Sequence, residues 1–247
     1  MLKRTSDRSR GVLNEYGSTV NAGVSGHTPW LISGLLFAYD IATLGLAEGA
    51  NVTALKDTGP NGLGARAIVP GTYAKAGLNN TPAVRFHTSL GSYYYLPNMA
   101  GLTAGEIFIA VKVDSDPPPT TARTGLWDIS TSTEGFPDTH FPYTDNSIYD
   151  GAFSTIRKNA GNPTPSMTSP IIYNVSSATN SWTARINGSV QHTTGTNTVG
   201  FPSAPLLGKG RNAFSLDGYI GFVAMFTRVL TTGERTAITD ELMARYV

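Results

Sequence analysis

The closing stretch SLDGYIGFVAMFTRVLTTGERTAITDELMARYV, Ser215–Val247, decides the fold class. Its first half carries YIGFVAMF (219–226), a run of β-branched and aromatic residues bounded by polar ones, which predicts a strand. The second half changes period. Thr231 and Glu234 stand at capping-box spacing, where each side chain satisfies the other's free backbone N–H. Ala237, Ile238, Leu242 and Tyr246 then recur on one helical face. Gly233 costs the first turn about 1 kcal/mol relative to alanine, which docking of that face offsets. The chain therefore ends in a strand and an amphipathic helix.

Further strands are predicted upstream at short intervals: LLFAYDI (35–41), AVRFH (83–87), SYYYLP (92–97), EIFIAVKV (106–113), GLWDIS (125–130), PIIYNVS (170–176) and SWTARING (181–188). The nearly unbroken apolar run of EIFIAVKV marks a central strand covered on both faces. In SWTARINGSVQ, Asn187-Gly188 separates two alternating segments, and both residues tolerate the positive φ of a type I′ turn. A β-hairpin follows.

Composition agrees. Twenty-seven glycines and fifteen prolines in 247 residues suit short strands joined by turns, and a chain this long fits one large all-β domain. Net charge is +1 with 14% charged residues, which excludes the broad basic field of a nucleic-acid binder. No apolar run reaches the length of a membrane span, and no apolar core follows MLKRTSDRSR, so neither membrane insertion nor a signal peptide is expected. Without cysteine there is no thiolate nucleophile. Residues 1–30 lack apolar alternation and read as an extended arm, with 31–247 as the folded domain. The arm is either a frayed terminus or a segment that orders on a neighbouring subunit, with Arg4, Arg8, Arg10 and Trp30 as its docking candidates.

Taken in order, several segments resemble the concanavalin A-like, laminin-G-type jelly roll. They are LLFAYDI with the DTGPNG turn (57–62), TPAVRFHTSLGSYYYLP, GLTAGEIFIAVKV, and the closing strand and capped helix. The resemblance implies an all-β jelly-roll sandwich with a C-terminal helix. IYDGAFSTIRK and NPTPSMTSPIIYNVSSATNSWTARING resemble domains on bacteriophage virion proteins and related bacterial surface proteins. That likeness implies a virion location, as a capsid decoration or tail component, with other virion proteins and a host-surface glycan as partners and a homo-oligomeric state. The alternative is a carbohydrate-active enzyme or a secreted carbohydrate-binding module.

The glucanases of this fold place paired carboxylates on one strand. None of the six glutamates, Glu15, Glu48, Glu106, Glu134, Glu234 and Glu241, lies within five residues of another. There is no Gly-x-Ser-x-Gly elbow. The histidines His27, His87, His140 and His192 lack metal-ligand spacing; His87 is expected to be structural and His192 solvated. The expectation is no enzyme, no catalytic residue and no required cofactor, with Ca2+ at Asp57–Gly62, Asp145-Asn146 or Asp217 the one option a jelly roll suggests.

THFPYTDNSIYDGAF (139–153) combines aromatic rings that can stack on sugar with carboxylates that accept sugar hydroxyls. Trp127, His140, Tyr143, Asp145, Tyr149 and Asp150 are the candidate glycan-binding residues, with Phe136 and Asp138 nearby. The same residues equally suit a loop folded onto the sandwich or a subunit contact.

Overall fold

The structure, a computed structural model, describes residues 32–118, 124–131, 139–211 and 214–247. Arg4, Arg8, Arg10 and Trp30 of the predicted arm lie outside the described residues, as do Phe136 and Asp138. The described chain begins with β1 (Leu35–Asp40), β2 (Asn51–Leu55), β3 (Ala65–Leu78), β4 (Thr81–Phe86), β5 (Tyr93–Tyr95) and β6 (Ala104–Val113). The short β7 (Thr124–Gly125), β8 (Trp127–Asp128), β9 (Ile148–Asp150) and β10 (Lys158–Gly161) follow. Then come β11 (Ile171–Ala178), β12 (Ser181–Ile186), β13 (Ser189–Thr194), β14 (Leu206–Leu207), β15 (Phe214–Ser215) and β16 (Gly218–Phe226), and the chain closes in helix α1 (Thr232–Tyr246). The protein is an all-β sandwich with a C-terminal helix.

Strand pairing runs in the order β13-β12-β11-β6-β16-β4-β3-β5-β14-β8, with β1 added on β16 and β2 on β3. This continuous ladder folds into two layers because β3 belongs to both. Its first half pairs with β5 and its second half with β4. The change falls at Pro70-Gly71, where a Cβ on Gly71 would lie 2.5 Å from Val84 Cγ1 and 2.6 Å from the Arg85 carbonyl. Only glycine lets the strand bend that close to its neighbour. Tyr94, from β5, fixes the corner: its hydroxyl accepts from Gly71 N–H (3.2 Å) and donates to the Val52 carbonyl (2.7 Å).

Alternation along β6 and β16 divides the interior. Ile107, Ile109, Val111, Val223 and Met225 join Trp127, Tyr94 and Leu207 between the layers. Phe108, Ala110, Phe222, Ala224 and Phe226 point the other way, beneath Ile238, Leu242 and Tyr246 of α1. Both faces of β6 are buried, as its apolar run predicts. The Asn187-Gly188 hairpin also forms as expected, with φ of 51° and 81°. At α1 the capping box of Thr231 and Glu234 is present. Ala237 is exposed, however, and Thr239 is buried in its stead, because the face set by Ile238, Leu242 and Tyr246 passes 239 rather than 237 against the sheet.

Helix α1 is also held by charge. Glu106, fully buried, accepts from Arg235 Nε (2.6 Å) and Nη2 (3.0 Å), from Leu230 N–H (2.9 Å) and from Asn174 Nδ2 (3.0 Å). At the far end Arg245 forks onto Asp40 at 2.8 and 2.7 Å. Breaking a buried pair by removing one partner costs about 3–5 kcal/mol, since the other charge stays buried. Arg235→Ala is therefore expected to lower the free energy of unfolding in urea by about that amount; a loss below about 1 kcal/mol, the range of a surface pair, would contradict the clamp.

Candidate functional site

The loop 139–153 folds most of its large side chains inward. Phe141, Ile148 and Phe153 are fully buried, and so is Asp150. The Asp150 carboxylate accepts from Trp127 Nε1 (3.1 Å), Thr139 Oγ1 (3.1 Å), Ala152 N–H (2.8 Å) and Tyr173 OH (2.9 Å). Burial raises its pKa above the ordinary carboxylate value, and the four donors counter that only in part. Trp127 stacks on Tyr173 with ring centroids 5.7 Å apart.

Of the six candidate glycan-binding residues, Trp127, His140 and Asp150 are therefore interior, while Tyr143, Asp145 and Tyr149 reach the surface. Tyr143 and Tyr149 meet edge to face at 5.6 Å, and Tyr143 also packs on His140 at 4.7 Å. Asp145 accepts from Tyr149 OH (2.8 Å) and from Ser147 N–H (2.9 Å). Asn146 takes the left-handed turn at φ 67°, a conformation asparagine tolerates. The Arg157 guanidinium sits 4.9 Å from the Tyr149 ring centre.

Beside this rim lies a cleft of about 560 Å3, walled by Ile156, Lys158, Asn159, Asn180, His192, Thr194, Thr196, Asn197 and Thr198. It opens where the interlayer space ceases to be apolar. Edge strand β13 pairs His192 with Ala184 and Thr194 with Trp182, both core residues of β12, so these polar side chains continue the core face beyond its apolar part. A bulge at Gln191 turns its amide onto the carbonyls of Ala160 (3.0 Å) and Asn162 (3.3 Å), fastening β13 to β10. His192, expected to be solvated, is instead half-buried, its ring at 5.9 Å from Trp182.

Lys158 is the cation of this cleft. Its ammonium donates to Ser154 Oγ, to the Ile156 carbonyl (2.8 Å) and to Asn197 Oδ1 (2.9 Å), and lies 5.3 Å from the Trp182 ring centre. Burial lowers its pKa to about 8, although Asp150, its partner across the β9–β10 ladder, pulls the other way. The adjacent pair in that ladder is Tyr149 and Asn159, whose amide reaches Tyr149 OH at 3.4 Å. One two-stranded ribbon thus carries both the tyrosine rim and a wall of the cleft. Lys158, Asn159, Asn180 and Asn197 drew no notice in the sequence. The usable signals are local: a short ribbon rich in polar residues, and Asn180 in a left-handed turn at φ 59°.

The calcium candidates have other employment. Asp57 accepts from the N–H groups of Ala38 (2.9 Å), Gly59 (2.8 Å) and Leu63 (2.8 Å), and Asp217 pairs with Arg85 at 2.9 Å. Among the described residues, no three His, Asp or Glu side chains gather as a metal cage.

No protein-family model and no curated protein sequence matches this chain. Solved structures match it in fold. Trypanosoma rangeli sialidase, in complex with the inhibitor DANA, aligns with a TM-score of 0.60 at 11% identity, over 85% of this chain and 34% of that one. Domain 4 of AbnA, a GH43 extracellular arabinanase from Geobacillus stearothermophilus, in complex with arabinotriose, aligns with a TM-score of 0.56 at 14% identity, over 83% and 98%. The binding domain of Paraclostridial Mosquitocidal Protein 1 gives a TM-score of 0.59 at 11% identity, over 84% and 52%. The chain spans about a third of the sialidase's length. At such identities the likeness establishes the fold.

These matches overturn the expectation that the chain stands apart from enzymes. A sialidase and a domain of an arabinanase carry this fold. The spacing of glutamates tests only one way of building a carboxylate pair, and sialidases use a tyrosine nucleophile, which such a count does not examine.

The position of Lys158 has a measurable consequence for stability. Its folded-state pKa of about 8 lies below the ordinary 10.5, so the folded chain loses this proton first as pH rises. Lys158 therefore adds stability as pH climbs from about 8 to about 10.5. The unfolding midpoint of wild type minus that of Lys158→Met should rise across this window; a flat difference would contradict the burial of the ammonium.

Proposed function

We propose that this domain binds carbohydrate in the cleft between β10 and β13, with Tyr143 and Tyr149 as an aromatic rim. The observation that carries the reading is the chemistry of the cleft. Asparagine amides and threonine hydroxyls offer donors and acceptors together, as a sugar's hydroxyls require, and the rim offers ring surface for its C–H faces. Support comes from the arabinanase domain, which aligns over nearly its whole length and was solved with arabinotriose. On this reading the chain is a carbohydrate-binding domain of a carbohydrate-active protein, and recognition runs through side chains without a metal.

A second reading keeps the same cleft and changes the setting. The segments IYDGAFSTIRK and NPTPSMTSPIIYNVSSATNSWTARING favour a structural protein of a bacteriophage virion, at the capsid surface or tail. Residues 1–30 would fasten a homo-oligomer to other virion proteins, and the cleft would meet a host-surface glycan.

A glycan array carrying arabinan fragments, other neutral oligosaccharides and sialylated chains tests the shared claim. Binding is expected, and Asn180→Ala, Lys158→Ala and Tyr149→Ala should each weaken it about tenfold, the loss of roughly one net hydrogen bond or stacking contact. An array without any bound glycan, or binding indifferent to all three substitutions, would overturn it.

A further inference from the structure

A second cleft, of about 350 Å3, lies between the β12–β13 hairpin and the start of α1. Its walls include Arg185, Arg235, Asn187, Thr232, Thr236 and Asp240, and it shares no residue with the cleft at Lys158. Two guanidinium groups meet here over one buried carboxylate. Glu106 is saturated by its four donors, two of them from Arg235. Arg185 receives no carboxylate within ion-pairing distance among the described residues, and Asp240, although it lines the cleft, does not pair with it. The cluster of Arg185, Arg235 and Glu106 is left one positive charge in excess.

The hydrogen bonds of Arg185 engage one corner of its guanidinium. Its Nη1 spends both hydrogens within the sheet, on Asn174 Oδ1 (3.0 Å) and Ser176 Oγ (3.1 Å). Nε and Nη2 make no hydrogen bond with the described residues, and a guanidinium has five N–H donors in a fixed plane. The unused Nε–Nη2 edge is the one that matches two oxygens of a carboxylate or a tetrahedral oxyanion side by side. Burial and, after it, the neighbouring Arg235 lower the pKa of Arg185, while Glu106 acts the other way.

We propose that this cleft is an oxyanion site, taking a carboxylate or a sulfate group on the Nε–Nη2 edge of Arg185, with the threonine hydroxyls of α1 at hand for the remaining oxygens. Asp240 at the wall disfavours highly charged ligands, so a small singly bound anionic group fits best. The inference is independent of what the other cleft binds.

The test follows the Arg185 Nε–H resonance by NMR in the full chain while sodium acetate or sodium sulfate is added at constant ionic strength, with chloride as balance. A saturable shift with a midpoint below about 100 mM is expected for at least one of the two anions, and the anion that saturates identifies the group. In Arg185→Lys, which keeps the charge and loses the planar edge, the neighbouring Asn187 and Thr236 amides should lose their saturable response. Shifts that stay linear for both anions in wild type would overturn the proposal, as would an unchanged saturable response of those amides in Arg185→Lys.

Discussion

A carboxylate without exposed surface, Asp150, holds the candidate site in place. Burying an unpaired charge costs several kcal/mol, which is tolerable only when its lone pairs are filled. Here four donors engage it: Trp127 of β8, Thr139 at the start of the loop, Ala152 near its end and Tyr173 of β11. The carboxylate therefore ties one layer of the sandwich to the other and closes the long loop on itself. Because Asp150 ends β9, the same contacts set the ribbon from which Tyr149 and Asn159 project. Lys158, across the ladder from Asp150, sets its ammonium on Ser154, Ile156 and Asn197 at the cleft.

The rest of the sandwich supplies a rigid frame for that ribbon. Strand β3 passes from one layer to the other at Pro70-Gly71, so a single ladder of strands encloses the core. Helix α1 closes the outer face of β6 and β16, clamped by Glu106 with Arg235 and by Asp40 with Arg245. At the edge, polar residues His192 and Thr194 of β13 and Lys158 of β10 line the cleft. A binding surface at that edge costs the core nothing, since His192 and Thr194 occupy inward positions where no facing strand buries them.

Signals that act within a few residues were legible in the sequence. The unbroken apolar run of β6, the Asn187-Gly188 turn and the Thr231–Glu234 cap each depend on neighbours close in the chain, and each forms as expected. Strand β3 was not legible, because Pro70, Gly71 and Gly77 read as loop until the close approach to β4 explains them. The loop 139–153 stayed open between a ligand surface and a loop folded onto the sandwich for a related reason. Rings beside carboxylates look alike whether they face solvent or the interior, and only the distant Tyr173 and Trp127 decide that Asp150 turns inward. The cleft could not be read at all, since Lys158, Asn180 and His192 meet only after the layers have packed.

Amide hydrogen exchange in Asp150→Ala tests most directly whether this carboxylate holds the site. The account predicts that protection is lost at Ala152, Phe153 and along β9 and β10, while β6 and β16 keep the slow exchange of a core opened only by global unfolding. Protection of the β9–β10 ribbon equal to that of wild type would contradict it.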